Sequence, residues 1–166
     1  GAGRVEIIPS VVDLAAYPLT DEAEESPGAP PVIGWIGSPS TAAYLPPLAG
    51  PLAAITAAGR ARVRLIGSGP ITLPGVPLDI VPWREGEEGE QLARFHIGIM
   101  PMPDGPWERG KCGYKLVQYM AAGRPVVASP VGFNRDLVRD GVDGLWADGP
   151  DQWLPPIIVG TAPPRA

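Results

Sequence analysis

The residues best placed to do chemistry are a small group of cations. Arg109, Lys111, Lys115 and Arg124 fall within 16 positions, in a chain whose formal net charge is −5. Four positive side chains so close together suit a small anion better than a duplex. The acidic balance argues against a nucleic-acid backbone as partner. Short Gly- and Ser-bearing loops recur ahead of helix starts, at residues 38–41, 67–70, 82–86, 102–115 and 129–134. Main-chain N–H groups at such starts, with glycine permitting close approach, make an anion seat. Lys111 and Lys115 stand just ahead of, or on the first turn of, a helix over residues 114–122. If both were helical they would share one face, being four apart. A phosphate or diphosphate is the ligand this arrangement favours.

Other chemistries find less support. His96 is the only histidine and falls inside an apolar run, so it reads as a structural residue, and no Ser-His-Asp order can be built around it. No cluster of His, Asp and Glu has metal-ligand spacing. The single cysteine, Cys112, excludes an internal disulfide and a Cys-rich zinc site, though a thiol beside cations can be reactive. Eight of the 18 acids lie in two clusters, Asp21, Glu22, Glu24 and Glu25, then Glu85, Glu87, Glu88 and Glu90. Both read as solvated loops.

The elements that must hold the cations alternate in type. Apolar runs at residues 32–37, 62–66, 78–81, 95–100, 125–128 and 145–147 predict buried strands. Residues 5–9 predict a further short strand ending at Pro9. Helical stretches are expected at 87–94, 114–122 and 134–139, with Asn134 as a cap. Another is expected within 44–58, starting late because Pro46, Pro47 and Pro51 interrupt it. Residues 38–41 read as a polar turn and 101–111 as a long polar loop. Trp35 and Trp146 read as core or edge packing. Continuous apolar strands alternating with helices predict an α/β fold, a doubly wound, mostly parallel Rossmann-like sheet of about six strands. Ligands in such sheets bind beyond the carboxyl ends of the strands. The 166 residues divide into an opening strand and Pro- and acid-rich linker (1–30), a core domain (31–150) and a Pro-rich tail (151–166). No run of about 18 apolar residues predicts a membrane span, and no leader is visible, so a cytoplasmic location is expected.

Residues 111–129, KCGYKLVQYMAAGRPVVAS, resemble the donor-site helix and strand of the group 1, or family four, retaining glycosyltransferases of GT-B fold. Other pieces agree in order: residues 5–13 resemble the family's IPNGVD segment, 32–37 its first C-terminal-domain strand, 63–70 its VVGDGP strand and 131–145 its VGxNxEIVxxGxxGFL segment. The likeness spans residues 5–148. It implies one half of a GT-B fold, the C-terminal domain that binds a donor such as a UDP- or GDP-sugar, with no metal. The acceptor would sit on an N-terminal domain that this chain lacks, so the chain is expected to be truncated or partial and inactive alone. Peripheral membrane association would come only through that other half.

The resemblance also assigns roles. Lys115 matches the lysine of the family's KxxEYMA helix start and would meet diphosphate oxygens, with Lys111 and Arg109 as second choices on a flexible loop and the amides of Gly113 and Tyr114 beside them. Gln118 falls where the second Glu of an E-x7-E motif contacts the donor ribose. The first Glu aligns with Gly110, leaving Glu108 as a substitute after a loop shift and Asp104 as a weaker one. The base would lie near Gly67, Ser68 and Trp83. Ser38, Ser40 and Thr41 would offer hydroxyls and N–H groups, and Asn134 a phosphate or sugar contact. These departures leave an alternative open, a non-catalytic α/β nucleotide-binding module that has lost the motif. A sugar-nucleotide epimerase of the same fold would show more acids and histidines in its cleft.

Overall fold

The structure, a computed structural model, describes residues 3, 6, 8–19, 28–153 and 157. Residues 5 and 7 of the strand expected at 5–9, residues 20–27 of the linker and most of the tail lie outside the described residues, and Glu6, Ile8 and Pro9 belong to no strand. Six strands form one parallel sheet in the order β3-β2-β1-β4-β5-β6. They are β1 (Val32–Ile36), β2 (Arg62–Ile66), β3 (Leu78–Val81), β4 (Ile97–Met100), β5 (Val126–Ala128) and β6 (Gly144–Trp146). The helices are α1 (Pro39–Ala42), α2 (Ala49–Ala57), α3 (Glu88–Ala93), α4 (Pro106–Arg109), α5 (Tyr114–Ala121) and α6 (Asn134–Leu137). The Rossmann-like sheet expected from the apolar runs is therefore present, and its order reverses between β1 and β4.

Alternation along the strands sorts the core into two layers. Ile33 and Trp35 of β1, Val63 and Leu65 of β2, Ile97 and Ile99 of β4 and Val127 of β5 pack with Leu52 and Ile55 of α2. Val32 and Ile36, with Met100, Val126 and Ala128, pack on the other face with Leu92 of α3 and Leu116 and Tyr119 of α5. Every residue of β1, β4 and β5 is buried, which is why these strands read as unbroken apolar runs. The edge strand β3 keeps Asp79 and Ile80 exposed, and Asp79 there takes the Arg64 guanidinium at 2.6 Å.

Two short helices stand where irregular chain was expected, α1 overlapping the turn 38–41 and running to Ala42, and α4 inside the loop 101–111. Each opens with a proline, Pro39 or Pro106. Proline breaks a helix interior but suits its first position, where no N–H is needed. The late start after Leu45 is as anticipated: residues Pro46–Leu48 make a 3-10 turn that runs into α2. Phe133, not Asn134, is the residue before α6, which ends at Leu137 rather than 139.

The join between β1 and β4 is short. Cα pairing covers only Ile33 with Ile97 and Gly34 with Gly98. Beyond it the Tyr119 hydroxyl stands in for the ladder: it accepts from the Ile36 N–H at 3.0 Å and donates to the Ile99 carbonyl at 3.2 Å. The glycine pair makes room for this. A Cβ on Gly98 would lie 2.5 Å from the Tyr119 ring, and one on Gly34 would lie 2.0 Å from the Phe95 ring. The two strands thus separate toward their carboxyl ends around a tyrosine, and a crevice opens there.

Candidate functional site

At that crevice lies a cleft of about 840 Å³. Ile36, Gly37 and Ser38 after β1, Gly67 after β2 and Trp83 after β3 line it. So do Tyr114, Lys115 and Gln118 of α5, with Val11, Val12, Asp13, Ala16 and Tyr17 contributed from before the sheet. Gly67 adopts φ +72°, and a Cβ there would come 2.4 Å from the Gly37 carbonyl oxygen. Glycine is what allows these two strand ends to meet so closely beside the cleft.

Lys115 is the most constrained group in the cleft. Its ammonium donates to the Thr41 hydroxyl at 3.1 Å and lies 4.5 Å from the centre of the Trp35 ring. Thr41 is itself fixed, accepting from the Ser38 N–H at 3.2 Å and donating to the Ser38 carbonyl at 3.1 Å. Burial, and secondarily the charge of Lys111, pulls the Lys115 pKa down to about 8. Among the described residues, this partly desolvated charge is met by one neutral hydroxyl and one aromatic face. An anion would relieve it.

A second cavity of about 400 Å³ adjoins the first and shares Tyr114 and Lys115 with it. It lies past the end of β4 and includes Thr41, Tyr44, Lys111, Cys112 and Gly113. Lys111 precedes α5, separated from it by Gly113 at φ +67°, so the shared helical face imagined for the two lysines does not form. Instead the Lys111 ammonium donates to the Tyr44 hydroxyl at 3.0 Å, and that hydroxyl donates to Glu108 at 2.5 Å. The tyrosine, helped by Lys111, holds the Glu108 carboxyl below its ordinary value.

Lys115, Ser38, Gly67, Trp83, Tyr114 and Gln118 are thus gathered at one cleft, and Lys111 and Gly113 at the adjoining cavity. Gln118 is buried and donates to the Tyr17 hydroxyl at 3.1 Å. The remaining candidates sit elsewhere. Ser40 turns its hydroxyl to that of Ser38 at 2.9 Å. Ser68 is 2% exposed, with its hydroxyl on the Gly69 carbonyl at 2.9 Å. Arg109 is clamped at 2.6 and 3.0 Å by Asp104, on the outer side of its loop. Asn134 is fully buried, its amide donating to the Ser129 carbonyl at 3.0 Å. Its free oxygen points toward Gly113. Glu108 lines neither cavity and faces Tyr44.

Tyr17, Tyr44 and Tyr119 were not singled out from sequence, and neither were Val12 and Asp13. The last two lie in the segment resembling IPNGVD, which was the available signal. His96 accepts the Val32 N–H at 3.0 Å through Nδ1, a structural task. Among the described residues no group of three His, Cys, Asp or Glu side chains is arranged to hold a metal ion. Nor is any helix there long and apolar enough to cross a membrane.

A six-stranded parallel sheet with a half-buried lysine at its switch point defines a Rossmann-like α/β domain. The family model of glycosyl transferases group 1 matches residues 30–154, and the chain belongs to that family. Solved structures agree on the fold, one domain of the GT-B architecture. Anabaena HepE in complex with UDP and glucose superposes with a TM-score of 0.64 at 18% identity, over 93% of this chain and 46% of that one. Sucrose-phosphate synthase from Thermosynechococcus elongatus gives 0.68 at 16% identity, over 96% and 45%. AviGT4, a glycosyltransferase involved in avilamycin A biosynthesis, gives 0.61 at 21% identity, over 98% and 51%. The chain thus spans about half the length of these structures. No curated protein matches it.

Proposed function

We propose that residues 31–150 are the donor-binding domain of a retaining glycosyltransferase. The domain holds a nucleoside diphosphate sugar, while an N-terminal GT-B domain holds the acceptor. The observation that carries this reading is the position of Lys115, half-buried at the switch point and shared by two adjoining cavities. The larger cleft takes the nucleoside, with Trp83, which is half exposed, available to stack on the base and Gln118 near the ribose. The diphosphate lies against Lys115 and the first amides of α5, and the sugar enters the second cavity. Breaking the sugar–phosphate bond builds negative charge on the leaving diphosphate. A cation already desolvated and fixed by Thr41 meets that charge without reorganising.

Titration calorimetry of this chain with UDP, GDP and their hexose derivatives tests the reading. At least one is expected to bind with Kd below about 1 mM, and Lys115→Ala to weaken it about tenfold or more. Silence from the whole panel overturns it. The chain alone is expected to transfer no sugar, because acceptor positioning and water exclusion require both halves of the cleft.

One observation favours a second reading. Glu108 is occupied by Tyr44 and Gln118 by Tyr17, so the substitute for the first motif glutamate and the residue at the second motif position both have internal partners, as in a module that binds nucleotide without transferring sugar. Product formation by the two-domain protein with a sugar nucleotide and acceptor separates the two.

A further inference from the structure

Resting on the donor-binding reading, we propose that the sugar this domain accepts carries a carboxylate, as a hexuronate does, and that Lys111 selects it. Donors and acceptors are unbalanced in the second cavity. Its ionisable lining consists of Lys111, Lys115, Tyr44, Tyr114 and Cys112, and among the described residues no aspartate or glutamate lines it. The rest is largely apolar, with Met100 and Met102 among it.

The hydroxyl of Tyr44 cannot donate into this space. Its proton is committed to Glu108, which leaves its oxygen as an acceptor, and Lys111 occupies that acceptor at 3.0 Å. Each ammonium carries three protons. Lys111 spends one on Tyr44, and Lys115 spends one on Thr41 while its charge faces Trp35. Neither lysine belongs to an ion pair among the described residues. The described lining therefore presents surplus side-chain donors and no carboxylate acceptor, with Glu108 behind Tyr44 offsetting part of the charge of Lys111.

A neutral hexose suits such a wall poorly. Its hydroxyls need acceptors for their protons, and a charged acceptor gives the strongest bond. A carboxylate reverses the match, because it only accepts and takes up two or more ammonium protons. The two lysines also divide the work. Lys115 touches both cavities and belongs to the diphosphate. Lys111 lines the second cavity but not the nucleoside cleft, so it meets the sugar. Glu108 fixes the Tyr44 proton and with it the aim of Lys111, which makes it a positioning residue.

The test compares Kd values on this chain for matched donors, UDP-glucuronate against UDP-glucose and GDP-mannuronate against GDP-mannose, with UDP and GDP alone as references. The uronate is expected to bind about tenfold or more tighter than its neutral partner, the worth of one charge-assisted hydrogen bond. In Lys111→Gln the ratio should fall toward one, and Lys111→Arg should restore most of it. A ratio near one in the parent, while UDP or GDP binds, overturns the inference and leaves the donor-binding reading standing. A preference that survives Lys111→Gln removes Lys111 as the selecting residue. Failure of every nucleotide to bind removes both.

Discussion

The Lys115 ammonium lies 4.5 Å from the centre of the Trp35 ring and 3.1 Å from the Thr41 hydroxyl, and it belongs to no ion pair among the described residues. Its pKa of about 8 stands below an ordinary value of 10.5. The unfolded chain therefore binds a proton that the folded chain has given up between those two values. Stability rises with pH across that window, and the full cost of burying the charge is present below about pH 8. Lys115→Met removes the cost. At pH 7 this variant is expected to be more stable than the parent by roughly 1–3 kcal/mol, with the gain fading as pH approaches 10.5. Urea denaturation at pH 7 and pH 10 measures it, and a Met variant less stable than the parent at pH 7 contradicts the account.

The same group should make ligand binding depend on pH in the opposite sense. An anion favours the charged lysine and raises its pKa, so binding above pH 8 takes up a proton. The affinity of the parent for UDP or GDP is expected to weaken progressively above about pH 8, and that of Lys115→Met to lack this step. Calorimetry in buffers of different ionisation enthalpy reads the proton uptake directly.

Tyr119 bridges β1 and β4 through one hydroxyl. Tyr119→Phe leaves the Ile36 N–H and the Ile99 carbonyl without that partner in the interior. A cost of about 2–4 kcal/mol is expected, read from the urea midpoint. Amide exchange at Ile36 and Gly37 should speed up more than at Val63 and Leu65, because the loss is local to the crevice. Uniform exchange changes would assign Tyr119 a general packing role instead.

How much of this was legible in sequence depended on range. Strands such as Arg62–Ile66 and Leu78–Val81 emerged with the expected bounds because apolar runs between turn residues are local signals. The helices at Pro39 and Pro106 did not, since one turn shows no periodicity and its proline reads as a breaker. Lys115 was found because it sits in a glycine-led helix start. Arg109 was weighed beside it, yet Asp104, five positions back, takes its guanidinium outward, and sequence does not reveal which acid a loop will bring round. Ser68 follows Gly67, but the left-handed turn at Gly67 sends it inward. Tyr17 and Tyr44 meet α5 and its lead-in loop from 101 and 67 positions away, a closeness created only by the assembled sheet.

His96 supplies an acid-side prediction. Burial, and then Arg124 and Arg62, lower its pKa below 6.5, and its Nδ1 accepts the Val32 N–H. The stability it contributes is fully present above pH 6.5 and is lost as pH falls through the lowered value. His96→Leu is expected to cost about 1–3 kcal/mol at pH 7, by stranding a buried donor, and to remove this step from the stability profile between pH 7 and 4. A parent and variant with parallel profiles would show that His96 does not titrate in the transition.

The central claim is that the crevice beside Lys115 seats a diphosphate. A crystal structure of this chain with whichever of UDP or GDP binds more tightly tests it most directly. A phosphate oxygen is expected within about 3 Å of the Lys115 ammonium, with the nucleoside running toward Trp83. A diphosphate seated elsewhere, or Lys115 still turned to Thr41 and Trp35 with no phosphate in reach, would contradict it.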